Sequence, residues 1–131
     1  MTMDTISQFL TMIRNAGAAK HEKVDLPASK VRAGIAQILV NEGLIRSFKV
    51  AKDSKQGIMR VYLKYDEAGN HVINSIDRVS RPGRRVYVKS DKIPTVRSGM
   101  GMSIISTSKG IMSGKQATEA KLGGELLATL W

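Results

Sequence analysis

Cysteine is absent from this chain of 131 residues. That excludes a disulfide framework and thiolate metal sites, and it fits a reducing compartment. Aromatic residues are scarce, at 5%, which argues against a module that reads single strands by stacking bases on several exposed rings. No apolar stretch approaches the roughly 18 residues that a membrane span requires, so no membrane partner is expected. The opening residues, MTMDTISQFL, lack a basic stretch followed by a long apolar run, and no signal peptide is expected. Acidic residues are also few: 11 Asp+Glu stand against 21 Lys+Arg, a formal net charge of +10.

That imbalance does not help a small domain fold, because like charges repel. It does attract polyanions. Nucleic acid is the leading partner class, with an anionic membrane surface second. Apolar residues make up 42% of the chain, enough to bury a core in one domain or two small ones.

Apolar spacing predicts a helix over residues 4–18, with Ile6, Phe9, Leu10 and Ile13 on one face and Asp4 as its cap. Residues 21–27 read as a short strand ended by Pro27. A second helix starts at Ser29, carries the stripe Val31, Ile35, Ile38 and Leu39, and stops at Gly43. Strands follow near 44–51 and 58–65. In the latter, Met59, Val61 and Leu63 alternate with Arg60, Tyr62 and Lys64. This α-β-α-β-β unit makes a first domain, 1–66. The polar run DEAGNH, residues 66–71, reads as the boundary. A second domain, 72–131, is expected to be mostly β, with strands at 72–79, 85–89, 102–107 and 125–130. Its one short helix, near 114–121, has a Ser113/Gln116 capping box and stops at Gly123. The fold class is α+β, built from two small α/β domains.

Enzyme chemistry finds little footing. A phosphate-binding loop needs glycine, four residues, then Gly-Lys-Ser/Thr. Here Gly114-Lys115 is followed by Gln116, and Lys109 stands where the first glycine belongs. A serine nucleophile needs a base and an orienting group, and no Gly-x-Ser-x-Gly elbow occurs. The two histidines, His21 and His71, read as exposed loop residues. No cofactor and no metal ligand set is expected.

Three stretches fit a polyanion better. RVSRPGRRVYVKSDK, residues 78–92, crowds Arg78, Arg81, Arg84, Arg85, Lys89 and Lys92 into one strand-turn-strand. It is either a solvated hairpin or a phosphate-binding one, and arginine's planar fork suits phosphate oxygens. Tyr87 within it suits a core as well as a stacking contact. At the start of the second helix, Ser29, Lys30 and Arg32 set cations against the helix dipole, at a cost of a few tenths to about 1 kcal/mol unless an anion docks there. Finally SIISTSKGIMSGK, residues 103–115, packs short hydroxyls and lysines between apolar pairs. Ser106, Thr107 and Ser108 can reach ribose hydroxyls and base edges in a shallow RNA minor groove. Lys109 would add a phosphate contact, and Gly110 would let the backbone come close. The alternative is a turn that bonds itself.

STSKGIMS followed by LGGELL, together with ILVNEGLI, RVSRPGRRVY and IPTVRSGMGMSIISTSKG in that order, strongly resembles the small ribosomal subunit protein eight family of bacterial type, over essentially the whole chain. Met12 stands where that family commonly has a basic residue and Ala128 where cysteine is common. The resemblance implies two α/β domains and a non-enzymatic, cytoplasmic, ribosomal RNA-binding protein. Such a protein binds the central domain of small-subunit ribosomal RNA early, at an irregular stem with an internal loop. It implies that Ser106, Thr107, Ser108 and Lys109 press into a minor groove, with Gly123, Gly124, Glu125 and Tyr87 close to the same RNA surface. A carboxylate repels phosphate, so Glu125 would accept from a base amino or ribose hydroxyl, or orient the serine turn. Implied partners are small-subunit proteins five and twelve and, for some members, the messenger RNA of their own operon.

Overall fold

The computed structural model describes residues 4–52, 57–96 and 101–131. It is an α+β chain that divides into two compact units, Thr5–Ile73 and Asp4 with Asn74–Trp131.

The first unit runs α1 (Thr5–Ala18), β1 (Lys23–Pro27), α2 (Lys30–Asn41), β2 (Ile45–Ala51) and β3 (Ile58–Leu63). Its sheet is antiparallel with β3 in the centre, in the order β1-β3-β2. Both helices exist for their apolar faces. Phe9, Leu10 and Ile13 of α1 and Ile35, Ile38 and Leu39 of α2 are buried with Met59, Val61 and Leu63 of β3. Removing one such Leu or Ile side chain costs about 2–5 kcal/mol. Val31 was expected on the buried stripe, but it is exposed. Arg32, one position on, is buried instead.

The Ser29 hydroxyl caps α2 by accepting from the Arg32 backbone N–H at 3.1 Å. Gly43 ends the helix turn at φ 73°, where a side chain would be strained. The polar run 66–71 folds back on this unit. Tyr65 and His71 form a bridge, and the His71 ring lies over Gly17, where an added Cβ would overlap it. The division therefore falls at Ile73, a few residues past the polar turn.

The second unit contains β4 (Ile76–Arg78), β5 (Tyr87–Val88), a 3-10 turn (Ser90–Lys92), β6 (Met102–Thr107), β7 (Gly110–Ser113), α3 (Gly114–Glu119) and β8 (Gly124–Leu130). Its five-stranded sheet has β8 between β6 on one side and both β4 and β5 on the other, with β7 beyond β6. Ile104, Ile105, Leu126, Leu127 and Leu130 are buried there, and Ala117 of α3 packs against Ile105 and Leu126.

Four expectations need correction in this unit. The strand expected over 72–79 is regular only at Ile76–Arg78, because the N–H groups of Asn74 and Ser75 both turn to the Trp131 carbonyl. The strand expected over 85–89 shrinks to Tyr87–Val88. β7 was not foreseen, since Gly110 hides its start. α3 stops at Glu119, and Lys121 rather than Gly123 takes the left-handed position, at φ 56°. The Ser113/Gln116 capping box is present as expected.

A candidate nucleic-acid interface

The sheet register assembles the site. Tyr87 of β5 pairs with Glu125 of β8, Glu125 with Ser106 of β6, and Ser106 with Ile111 of β7. Directly opposed residues share a face, so Tyr87, Glu125 and Ser106 lie side by side across three strands. Tyr87 is 71% exposed, which removes the core alternative.

Gly123 and Gly124 let these strands close up. A Cβ on Gly124 would strike the Ser106 carbonyl, and one on Gly123 would lie 2.6 Å from the Val88 oxygen. The pair is needed for backbone approach within the protein.

β6 and β7 join through Ser108 and Lys109, with Thr107 paired to Gly110. Gly110 has φ 111°, the left-handed residue that follows a tight hairpin loop. Nothing lies within 4 Å of where its Cβ would be, so backbone conformation, rather than crowding, calls for glycine. The three hydroxyls divide by role. Thr107 Oγ1 donates to the Gly110 carbonyl at 2.8 Å and accepts from the Lys109 N–H at 3.1 Å, so it ties the loop to itself. Ser106, half-buried, and Ser108, exposed, have hydroxyls with no hydrogen-bond partner among the described residues. Lys109 is exposed at the tip.

Glu125 is committed inside the protein. Ser80, fully buried, donates its hydroxyl to Glu125 Oε2 and accepts from the Val86 N–H at 3.1 Å. Arg85 donates to the same Oε2 at 3.0 Å. Burial raises the Glu125 carboxyl, but the Ser80 and Arg85 hydrogen bonds outweigh it and hold the group below its ordinary value. Among the described residues no side-chain hydrogen bond links the Glu125 carboxylate to the serine turn. Ser80 had no role in the sequence-based expectations; its only signal was a small polar residue between Val79 and Arg81.

The basic stretch folds as a tight turn in which Arg81 and Arg84 exchange backbone hydrogen bonds of 3.0 and 2.9 Å. Pro82 and Gly83 form its tip. Arg81, Arg84, Arg85, Lys89 and Lys92 are exposed. Arg78 is not part of that surface: its side chain is 7% exposed, donates to the Leu127 carbonyl at 2.8 Å and pairs with Asp4.

In the first unit, Ser29 and Lys30 are exposed, and the Ser29 hydroxyl doubles as the cap of α2. Arg32 is a correction. It is 5% exposed, and its guanidinium donates to the Pro27 carbonyl at 2.7 Å and to the Thr5 carbonyl at 3.2 and 3.1 Å. Burial lowers its pKa, and its donors are spent on the protein. The two histidines also differ. His21 is exposed. His71 is partly buried, with a buried Nε2 that has no hydrogen-bond partner among the described residues, and burial lowers its pKa.

A family model described as Ribosomal protein S8 matches residues 4–131. A protein of Bdellovibrio bacteriovorus named small ribosomal subunit protein uS8 is 95% identical over 129 residues, covering 98% of this chain and 100% of that protein. The chain belongs to the ribosomal protein S8 family. S8 proteins of Geotalea daltonii and Geotalea uraniireducens are 56% and 55% identical, each over 98% of this chain and 97% of their own length. Membership agrees with the α+β architecture in two units and with the resemblance read from STSKGIMS and LGGELL.

Proposed function

We propose that this chain is a structural constituent of the small ribosomal subunit that binds the central domain of small-subunit ribosomal RNA. The observation that carries the reading is the row Tyr87, Glu125 and Ser106, ending at a loop whose Ser108 hydroxyl has no partner among the described residues. Ser106 and Ser108 enter the shallow minor groove of an irregular stem and bond ribose hydroxyls or base edges. Tyr87 lies flat against a base or sugar. Thr107 and Gly110 hold the loop in shape, and Gly123 and Gly124 keep the row close-packed. Glu125 acts through Arg85 and Ser80, fixing the cationic hairpin beside the serines.

Arg81, Arg84, Arg85, Lys89 and Lys109 then neutralise flanking phosphates, and Ser29 and Lys30 of the first unit contribute a further backbone contact. A bound stem is locked in one fold, which prepares the RNA for later assembly. The protein acts as a binder and not as a catalyst, in the cytoplasm as part of the ribosome. Small-subunit proteins five and twelve are its proposed neighbours, and a similar stem in its own operon's messenger RNA is a second target.

Protection mapping on naked small-subunit ribosomal RNA tests this. The expected result is a protected internal-loop stem in the central domain, with the matching DNA duplex failing to compete. Equal competition by DNA would remove ribose readout from the account.

A further inference from the structure

At one end of the first unit's sheet, Lys20, Glu22, Arg46, Leu63, Lys64 and Tyr65 line an open cavity of about 560 Å³. Three cations face it and one carboxylate. None of the four charged groups forms an ion pair among the described residues. Like charges gathered without counter-ions repel one another, so the arrangement invites an anion.

The three cations come from three separate places, each by a local irregularity or a fixed support. Lys20 follows α1 with φ 62°, a left-handed conformation where glycine is the usual choice. Its ammonium is tethered to the Gly69 carbonyl and, at 3.5 Å, to Asn70 Oδ1, which leaves one donor of the same ammonium for a ligand. Arg46 sits at a break in register between Ile45 and Ser47 of β2, and such bulges re-aim a side chain. Lys64 follows the end of β3, with its ammonium 3.6 Å from where a Cβ on Gly43, just past the C-terminus of α2, would lie. That dipole end favours a cation. Leu63 and Tyr65 form the apolar floor, and the Tyr65 hydroxyl is anchored on the His21 carbonyl.

We propose that this cavity binds a phosphate group. Arg46 supplies the planar fork, Lys20 and Lys64 supply point charges, and Glu22 opposes them, leaving a net excess of two positive charges. The size suits a small phosphorylated molecule, and the openness equally admits one phosphodiester of an RNA strand. The phosphate is the shared chemistry.

The test is an amide-shift titration of the full chain with inorganic phosphate, and separately with a single-stranded RNA oligonucleotide. Saturable shifts at Lys20, Arg46, Leu63 and Lys64 are expected. The double variant R46A/K64A, both positions exposed, should weaken binding at least tenfold, and E22Q should tighten it several-fold. K20G relieves the left-handed strain while removing the cation, so it should weaken binding in a chain that still folds. Oligonucleotide that displaces phosphate identifies an RNA backbone as the source; phosphate binding with no displacement identifies a small phosphorylated molecule. No saturable shift with either probe, or shifts unchanged in R46A/K64A, overturns the proposal. Binding of the irregular stem RNA, measured alongside, reports on the serine turn alone: R46A/K64A should bind that stem as the parent does.

Discussion

Within the serine turn, the proposed split between reading RNA and holding the loop can be tested one hydroxyl at a time. Ser108→Ala removes an unpartnered exposed group, so folding stability should stay within about 0.5 kcal/mol while RNA affinity falls by about 1–3 kcal/mol. Thr107→Ala removes two loop hydrogen bonds and should cost about 1 kcal/mol of stability, with Thr107→Ser restoring it. Chemical denaturation and filter binding on the same three variants separate the roles. Titration is also a residue-scale property. The His71 pKa is lowered from 6.5 by burial, so the unfolded chain takes up that proton first. Stability should be full above about pH 6.5 and fall as pH drops below it, and His71→Phe should flatten that fall. Glu125, held below 4.5 by Ser80 and Arg85 despite its burial, contributes stability above that pH that is lost as pH falls further. Denaturant midpoints from about pH 2 to pH 8 check both limbs. Arg32 shows what a sequence cannot convey. A cation in the first turn of a helix reads as a surface charge, and only the tertiary fold brings the Thr5 and Pro27 carbonyls to meet it.

Among the elements, those with strong local patterns were legible. β3 declared itself through alternating Met59, Val61 and Leu63, and α3 through its Ser113/Gln116 box. Helix ends fixed by a left-handed lysine, as at Lys121, and strands frayed by a distant carbonyl, as at Asn74 and Ser75, left no local signature. β7 is hidden in the same way: its apolar pair Ile111–Met112 is too short to outweigh the glycine that begins it. The family resemblance implies a place near RNA for the Gly123–Gly124 pair, whereas its packing role depends on β5 and β6 arriving on either side. Gly124→Ala should therefore cost about 1–3 kcal/mol, since the obstructing atom is the Ser106 backbone oxygen and a whole strand must shift. Gly17→Ala meets the His71 ring instead, and a side chain yields more readily, so it should cost less. Thermal unfolding of the two variants side by side gives the ranking.

For the whole molecule, net charge and composition pointed to a polyanion partner before any motif did, and the matched family bears out the ribosomal assignment. What charge alone could not give is the division between cations that serve the fold and cations that face outward: Arg32 and Arg78 are internal, whereas Arg81, Arg84 and Lys109 are free of ion pairs among the described residues. If about five phosphates are neutralised, the logarithm of affinity should fall with the logarithm of salt at a slope near −4. The central claim is that unpartnered serine hydroxyls read the groove while arginines hold its rims. Its most direct test is a salt titration of stem-RNA binding by the parent chain, Ser108→Ala and Arg84→Ala. The account predicts that Ser108→Ala binds more weakly at every salt concentration with the parent's slope, and that Arg84→Ala loses about one unit of slope. Equal slopes for the two variants would contradict it.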